Sequence, residues 1–486
     1  MKISIFIFLF SFFNQSSIGQ NIRYSPYCRT TTDSFNILKA YKEKEKVELD
    51  GQEKKYQKDY KEIYDNIYSG LKLKITGNHY LFDEELSEYF NYIFNEICTS
   101  NPGLDCSGIS LYIASYPYEN ATCYSEGTIV FNLGLYRKLK TESQIAFILC
   151  HELAHYFLKH GHNSINEYVE IKNSDSYKTE LKEINKTKYN RRSRALKLLK
   201  DITYDDRYHS RNNELSADSL GLCFLTNTKY SLVDGISTLL ILDIIDGDKY
   251  HKEIAYNDAF HFDSYPFKSY LLEKEASIFG ESIDSKNLDL DSLKTHPDCQ
   301  KRFRLLSENL VSETGRVSFL QEEDILIKIK NRSDFEFINS FYEMDDYGKT
   351  LYFSLKLNEV YPNSIYLKEM VGRCFYQLSL AREGFEFSKY VESSTLDDNS
   401  SYERFLVFLN NLRKRDINNI GFYFMERYWK DFQENENYLY QLILNASRLD
   451  DSKKLELYSQ QYFKRYPEGK EVVFVQELIK LKVEEK

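Results

Sequence analysis

Residues 141–162 read TESQIAFILCHELAHYFLKHGH, and no other stretch limits the fold of this chain as tightly. Thr141 can cap a helix and Gln144, three positions on, can return the bond as a capping box, while Gly161 stands where a C-terminal cap would. These signals predict a helix over 142–160. Positions i and i+4 share a helical face, so His151 and His155 can aim their imidazoles at one ion. Glu152 is offset by about 100° and can reach a bound water. The same spacing also arises by accident in charged helices, so the rest of the chain must decide. On the same geometry His160, nine positions past His151, falls on the opposite side, and His160 and His162 read as helix-end residues. Cys150 points aside as a buried thiol.

Two later segments supply partners. NNELSADSLG, residues 212–221, places Glu214 and Asp218 at i, i+4 spacing on a second predicted helix. One carboxylate is then free to bind a metal and the other to hydrogen-bond a ligand histidine. Ala217 between them is small, as a closely packed helix requires. Two histidines and a glutamate form a known catalytic zinc set that leaves the fourth position to water. THPDCQKR, from Thr295, holds His296, suited to donate to a developing oxyanion, and Arg302, suited to brace the site through a carboxylate.

With these residues in view, the chain resembles the zinc metallopeptidases of the HtpX and CAAX prenyl-protease type, a gluzincin-like group. The resemblance covers about residues 80–310. It runs in order through ENATCYSEGTIVFNLGLYRKL, HELAH, RNNELSADSLGL and THPDCQKR. It implies one zinc ion per chain held by His151, His155 and Glu214, Glu152 as general base, Asp218 behind the ligands, and His296 with Arg302 near the transition state. Protein or peptide substrates are implied with it. In architecture the chain looks similar to periplasmic BepA-like proteases, which implies unfolded outer-membrane proteins as substrates and envelope assembly machinery as a partner. The long spacer between His155 and Glu214 departs from the family pattern. So does residues 249–291, an insertion whose His251 and His261 are candidates to cover the metal's open position.

The remaining sequence sets the organisation. Residues 1–19, with Lys2 and the apolar run Ile3–Phe13, read as a signal peptide, too short for the roughly 20 residues of a membrane span. The mature chain is therefore expected in the periplasm or secreted, without a transmembrane span. A net charge of -10 with dispersed Lys and Arg excludes a nucleic-acid-binding face. Of eight cysteines, Cys98 and Cys106 flank a turn-rich loop and are the expected disulfide.

The fold expected is α+β and mostly α, a metallopeptidase domain of active-site helices with a small sheet, followed by a helical domain. Residues 20–75 form an N-terminal helical segment and 76–315 the peptidase domain. SGISLYIASY and GTIVFNLG read as its strands, with 128–132 as the edge for an extended substrate. The polar stretch 163–210 reads as a solvated helical insertion. From 320 to 486, helix starts near 361, 397, 434 and 466 recur at the period of tetratricopeptide (TPR)-like pairs. The function expected is a zinc metalloendopeptidase in envelope protein quality control. Its alternative is a proteolytically latent scaffold or chaperone acting through the repeats.

Overall fold

The computed structural model describes residues 24, 26–29, 34–77, 79–186, 211–247, 253–274, 298–308, 310–394 and 401–484. The signal-peptide reading and His296 lie outside them. Among the described residues, no helix is long and apolar enough to cross a membrane.

The N-terminal half, expected from the sequence to be the peptidase domain, is organised by a four-stranded sheet of β1 (Tyr80–Leu81), β2 (Ser110–Ala114), β3 (Ala121–Cys123) and β4 (Thr128–Asn132), in the order β1-β2-β4-β3. β2 and β4 are parallel, with Ser110 opposite Thr128, and β3 runs antiparallel to β4, with Thr122 opposite Val130. The 128–132 strand is therefore internal, and β3 is the edge on that side. The expectation of an edge fails because ENATC forms a third strand, joined to β4 by a turn that ends at Gly127, whose φ of +90° favours glycine. An unbroken apolar TIVF, without alternation, is what a strand covered on both faces requires. Ile129 and Phe131 pack with α3 (Glu84–Ser100) and α5 (Glu142–Phe157). Val130 turns to the other face, to a cluster with Leu71 and Ile75 of α2 (Gln57–Thr76) and Tyr41 of α1 (Ser34–Asp50).

α3 buries Leu86, Tyr89, Phe90, Ile93 and Ile97, the stripe its spacing predicts, and begins at Asp83, which accepts from Leu86 N. The expected disulfide between Cys98 and Cys106 is present, and Cys150 is a fully buried thiol. Of the insertion after α5, residues 163–186 are described and are packed as well as solvated, while 187–210 lie outside the described residues. α6 (His160–Asn173) lays Val169 against Tyr60 and Tyr64 of α2, and Lys172 pairs with Asp59 at 3.0 Å.

The C-terminal half is a stack of consecutive helices from α13 (Glu323–Glu343) through α14 (Tyr347–Val360), α15 (Ile365–Glu383), α16 (Ser401–Asn411), α17 (Lys414–Phe432), α18 (Glu436–Ser447) and α19 (Ser452–Arg465) to α20 (Val472–Glu484). Turns precede α15, α18 and α20 at the expected places. α13 joins the two halves, since Leu326 and Ile329 enter the peptidase core while Phe335, Ile338 and Phe341 enter the helical one. Tyr24 donates to Glu336 at 2.5 Å, and Arg29 pairs with Glu336 and Glu343, lacing the N-terminal segment onto the same helix.

One boundary differs from the sequence reading. Residues 253–274 lie inside the peptidase limits in sequence but pack on the helical half. Phe260 stacks on Phe408 at 5.0 Å, and Lys268 meets Asp416 at 2.7 Å. His261 sits on this segment, its carbonyl accepting from Arg427, and His251 lies outside the described residues. Aromatic side chains explain the choice, because AYNDAFHFDSYPF offers apolar area that the insertion cannot bury on its own.

A buried carboxyl sets a pH dependence for the helical half. Burial pushes Glu369 from 4.5 up to about 7, and Arg373, 3.9 Å away, only partly offsets it. The folded form then holds a proton that the unfolded chain releases. The resulting stabilisation is complete below about 4.5 and is lost as pH rises to about 7, a change of about 3 kcal/mol. Trp429, the one tryptophan, lies on α17 and reports this half. Urea unfolding followed by its fluorescence should show stability falling from pH 5 to pH 8 in the parent chain and a flatter profile in Glu369→Gln. Equal slopes in the two proteins would refute this assignment.

Candidate functional site

α5 starts at the expected capping box. Gln144 N donates to Thr141 Oγ1 and Thr141 N to Gln144 Oε1, both at 3.3 Å. The helix ends earlier than its sequence suggests, at Phe157. The chain then breaks at Lys159, which adopts the left-handed region at φ 56°, and Gly161 lies inside the next helix instead of capping this one. α8, residues 211–226, crosses α5 at the histidines.

The crossing is close. A Cβ on Gly221 would lie 3.1 Å from both Cα and N of His151, so only glycine lets the two backbones approach this far. Gly221→Ala gains about 1 kcal/mol of helix propensity. The methyl, however, meets helix backbone that cannot swing aside, and overpacking of this kind costs about 1–3 kcal/mol. A net loss of thermal stability with weaker metal binding is expected, measured by calorimetry and chelator competition. A variant as stable and as tight as the parent would count against a site set by this crossing.

Three ligand side chains converge. His151 Nε2 and His155 Nε2 are 3.0 Å apart, and Glu214 places Oε2 at 3.5 Å from the first and Oε1 at 3.3 Å from the second. A tetrahedral zinc with bonds of about 2.1 Å needs ligand atoms about 3.4 Å apart. Both Nδ1 atoms are engaged elsewhere, which leaves the Nε2 lone pairs for an ion. The residues therefore fit zinc in both spacing and donor chemistry.

Behind the ligands, Asp218 Oδ1 lies 2.9 Å from His151 Nδ1. Arg302, on α12 (Cys299–Ser307), grips Asp218 with two parallel bonds, Nε to Oδ2 at 2.6 Å and Nη2 to Oδ1 at 2.8 Å. Its Nη1 is 2.8 Å from Glu214 Oε2. Arg302 is 2% exposed. Its nitrogens are spent on the two carboxylates, so in this geometry it braces the ligands and is a positioning residue.

The charges follow from this packing. Burial alone would raise Glu214, but His151, His155 and Arg302 hold it well below the usual carboxylate range. Burial works against Asp218 in the same way, and Arg302 and His151 hold that carboxyl down. Burial lowers His151, yet Asp218 and Glu214 outweigh it and lift the imidazole to about 10. Glu152 is not among the converging ligands. Burial raises its carboxyl, countered by His151, His155 and the backbone N–H of Cys123 on β3.

The residue that helical geometry misplaced is His160. Its Nδ1 is 2.9 Å from His155 Nδ1, and burial, then His155, pushes it down to about 4. An uninterrupted helix would carry it away from the ligands, and the break at Lys159 brings it back. No composition signal marks that break, since lysine rarely takes this conformation. His162 pairs with Glu48 of α1 at 3.1 Å. Together with Cys123, Tyr124 and Tyr156 they line a cavity of about 190 Å³ beside His155.

A histidine-pair helix crossed by a second helix that presents a carboxylate defines a metallopeptidase type of centre. Residues 107–310 match the family model of peptidase family M48, which supports a metallopeptidase over that region. The match spans β2 to α12 and so includes every side chain placed at the centre above except Glu48. No curated protein matches the chain.

Proposed function

We propose that the chain is a zinc-dependent endopeptidase of the periplasm or of a secreted pool, acting on unfolded envelope proteins. The observation that carries this reading is the convergence of His151, His155 and Glu214, whose nearest nitrogen and oxygen atoms are 3.0–3.5 Å apart and suit one zinc ion, with Glu152 beside them on the same helix. A bound zinc ion supplies Lewis acidity, polarising the scissile carbonyl and acidifying a water. The chain supplies the rest. His151, His155 and Glu214 hold the ion. Glu152 takes a proton from the attacking water and hands it to the leaving amine. β3 is the sheet edge whose Cys123 N–H faces Glu152, so an extended peptide added to β3 would run past the general base. Pairing through the main chain orients a substrate without demanding its sequence, which suits unfolded clients. The helical domain, read as TPR-like, would recruit clients or envelope assembly machinery.

The test uses the mature chain from residue 20 to 486. It should bind one zinc per chain and cleave an unfolded outer-membrane protein. A chelator such as 1,10-phenanthroline should stop cleavage, and added zinc should restore it. A zinc-loaded protein that binds such clients tightly but leaves every one intact would overturn the peptidase reading in favour of a latent scaffold.

A further inference from the structure

We infer that His160 is a positioning residue for the metal: anchored by Ser216, it accepts the Nδ1–H of His155 and thereby turns the Nε2 lone pair of His155 toward the ion. The inference rests on the zinc reading of the site.

The direction of each hydrogen bond follows from the atoms that face one another. His155 Nε2 is the atom that converges with His151 and Glu214, so as a ligand it carries a lone pair and the ring proton sits on Nδ1. Among the described residues that proton faces His160 Nδ1, 2.9 Å away, which must then accept. The proton of His160 is consequently on Nε2, facing Ser216 Oγ at 3.2 Å. Ser216 in turn donates to the carbonyl of Asn213 at 3.0 Å. Each proton in this relay meets an acceptor, and no step needs a charged imidazole.

Three features place the relay there. Lys159 breaks the chain after α5 and directs His160 inward, where it is 9% exposed. Ser216 belongs to α8, the helix that carries Glu214 and Asp218, so the relay ties the turn after α5 to the ligand helix. The edge-to-face rings of His155 and His160, centroids 4.8 Å apart, limit rotation of the ligand. The two histidine ligands are thus oriented by different means. His151 leans on a carboxylate held by Arg302, whereas His155 leans on a neutral ring. A carboxylate partner makes an imidazole a stronger donor. The neutral partner fixes His155 without that increase, which leaves more positive charge on the ion for the carbonyl it must polarise.

The experiment measures zinc affinity of the mature chain by competition with a chromophoric chelator, with circular dichroism of the zinc-free proteins as the check on folding. His160→Ala should weaken zinc binding about 10–100-fold. His160→Asn keeps an acceptor oxygen close to the position of Nδ1 and should recover most of the loss. Ser216→Ala, which removes the anchor but leaves the acceptor, should fall between the parent and His160→Ala. If His160→Ala does not fold, the ordering of parent, His160→Asn and Ser216→Ala decides. Parent-like affinity in both His160→Ala and Ser216→Ala overturns the relay, as does His160→Asn binding as weakly as His160→Ala. A parent chain that binds no zinc overturns the peptidase reading as well; one that binds zinc and tolerates these substitutions overturns the relay alone.

Discussion

Glu152→Gln should keep its zinc and lose its cleavage, with kcat falling about 10²–10⁴-fold, the usual contribution of a positioned general base. The two effects separate because Glu152 is not one of the three converging groups. Glutamine matches the carboxylate in shape and can still accept from Cys123 N–H, so the site should not rearrange. It cannot take a proton from water. Burial raises the Glu152 carboxyl above the ordinary glutamate range, which brings a base closer to neutral operating pH. Metal content by mass spectrometry and cleavage of an unfolded substrate check both halves. Parent-like cleavage by the variant would remove Glu152 from the chemistry. Lost zinc would mean that it helps to hold the ion.

Arg302→Met carries the largest stability effect expected in the peptidase domain. Methionine roughly fills the space but leaves Asp218, 1% exposed, and Glu214 as neighbouring anions without their shared cation. Removing one partner of a buried charge group destabilises by about 3–5 kcal/mol. The zinc-free protein should show it most, since there, among the described residues, His151 and His155 remain to balance the two carboxylates. Because Trp429 reports the helical half, the peptidase transition is best followed by calorimetry. A loss below about 1 kcal/mol would show that the triad contributes little net stability, as some buried ion groups do. Zinc should restore part of the loss by binding the folded form.

The legible parts of this chain are those governed by local rules. The capping box of Thr141 and Gln144, the buried stripe of α3 and the pairing of Cys98 with Cys106 each depend on residues within about a helical turn or a short loop, and all three appear as expected. The strand at 128–132 was legible as a strand and misread as an edge, because a three-residue neighbour such as β3 has too little pattern to announce itself. TIVF did contain the correction, since alternation is absent from it. The reach of α5 was misread for another reason. Glycine at 161 imitates a cap, whereas the turn that forms runs through Lys159.

By itself the sequence determined which side chains are able to bind a metal. Helical spacing puts His151 with His155 and Glu214 with Asp218, and that periodicity holds in any fold that keeps those helices. Only the tertiary structure decided how the pairs meet. Gly221 sets the distance between α5 and α8, Arg302 arrives from a third helix to balance two carboxylates, and His160 returns to the back of His155. The same holds for residues 253–274, whose sequence neighbours are in the peptidase domain and whose packing partners are in the helical one. These arrangements depend on contacts between segments from 5 to 169 residues apart. Burial and charge balance select them, and neither leaves a periodic mark along the chain.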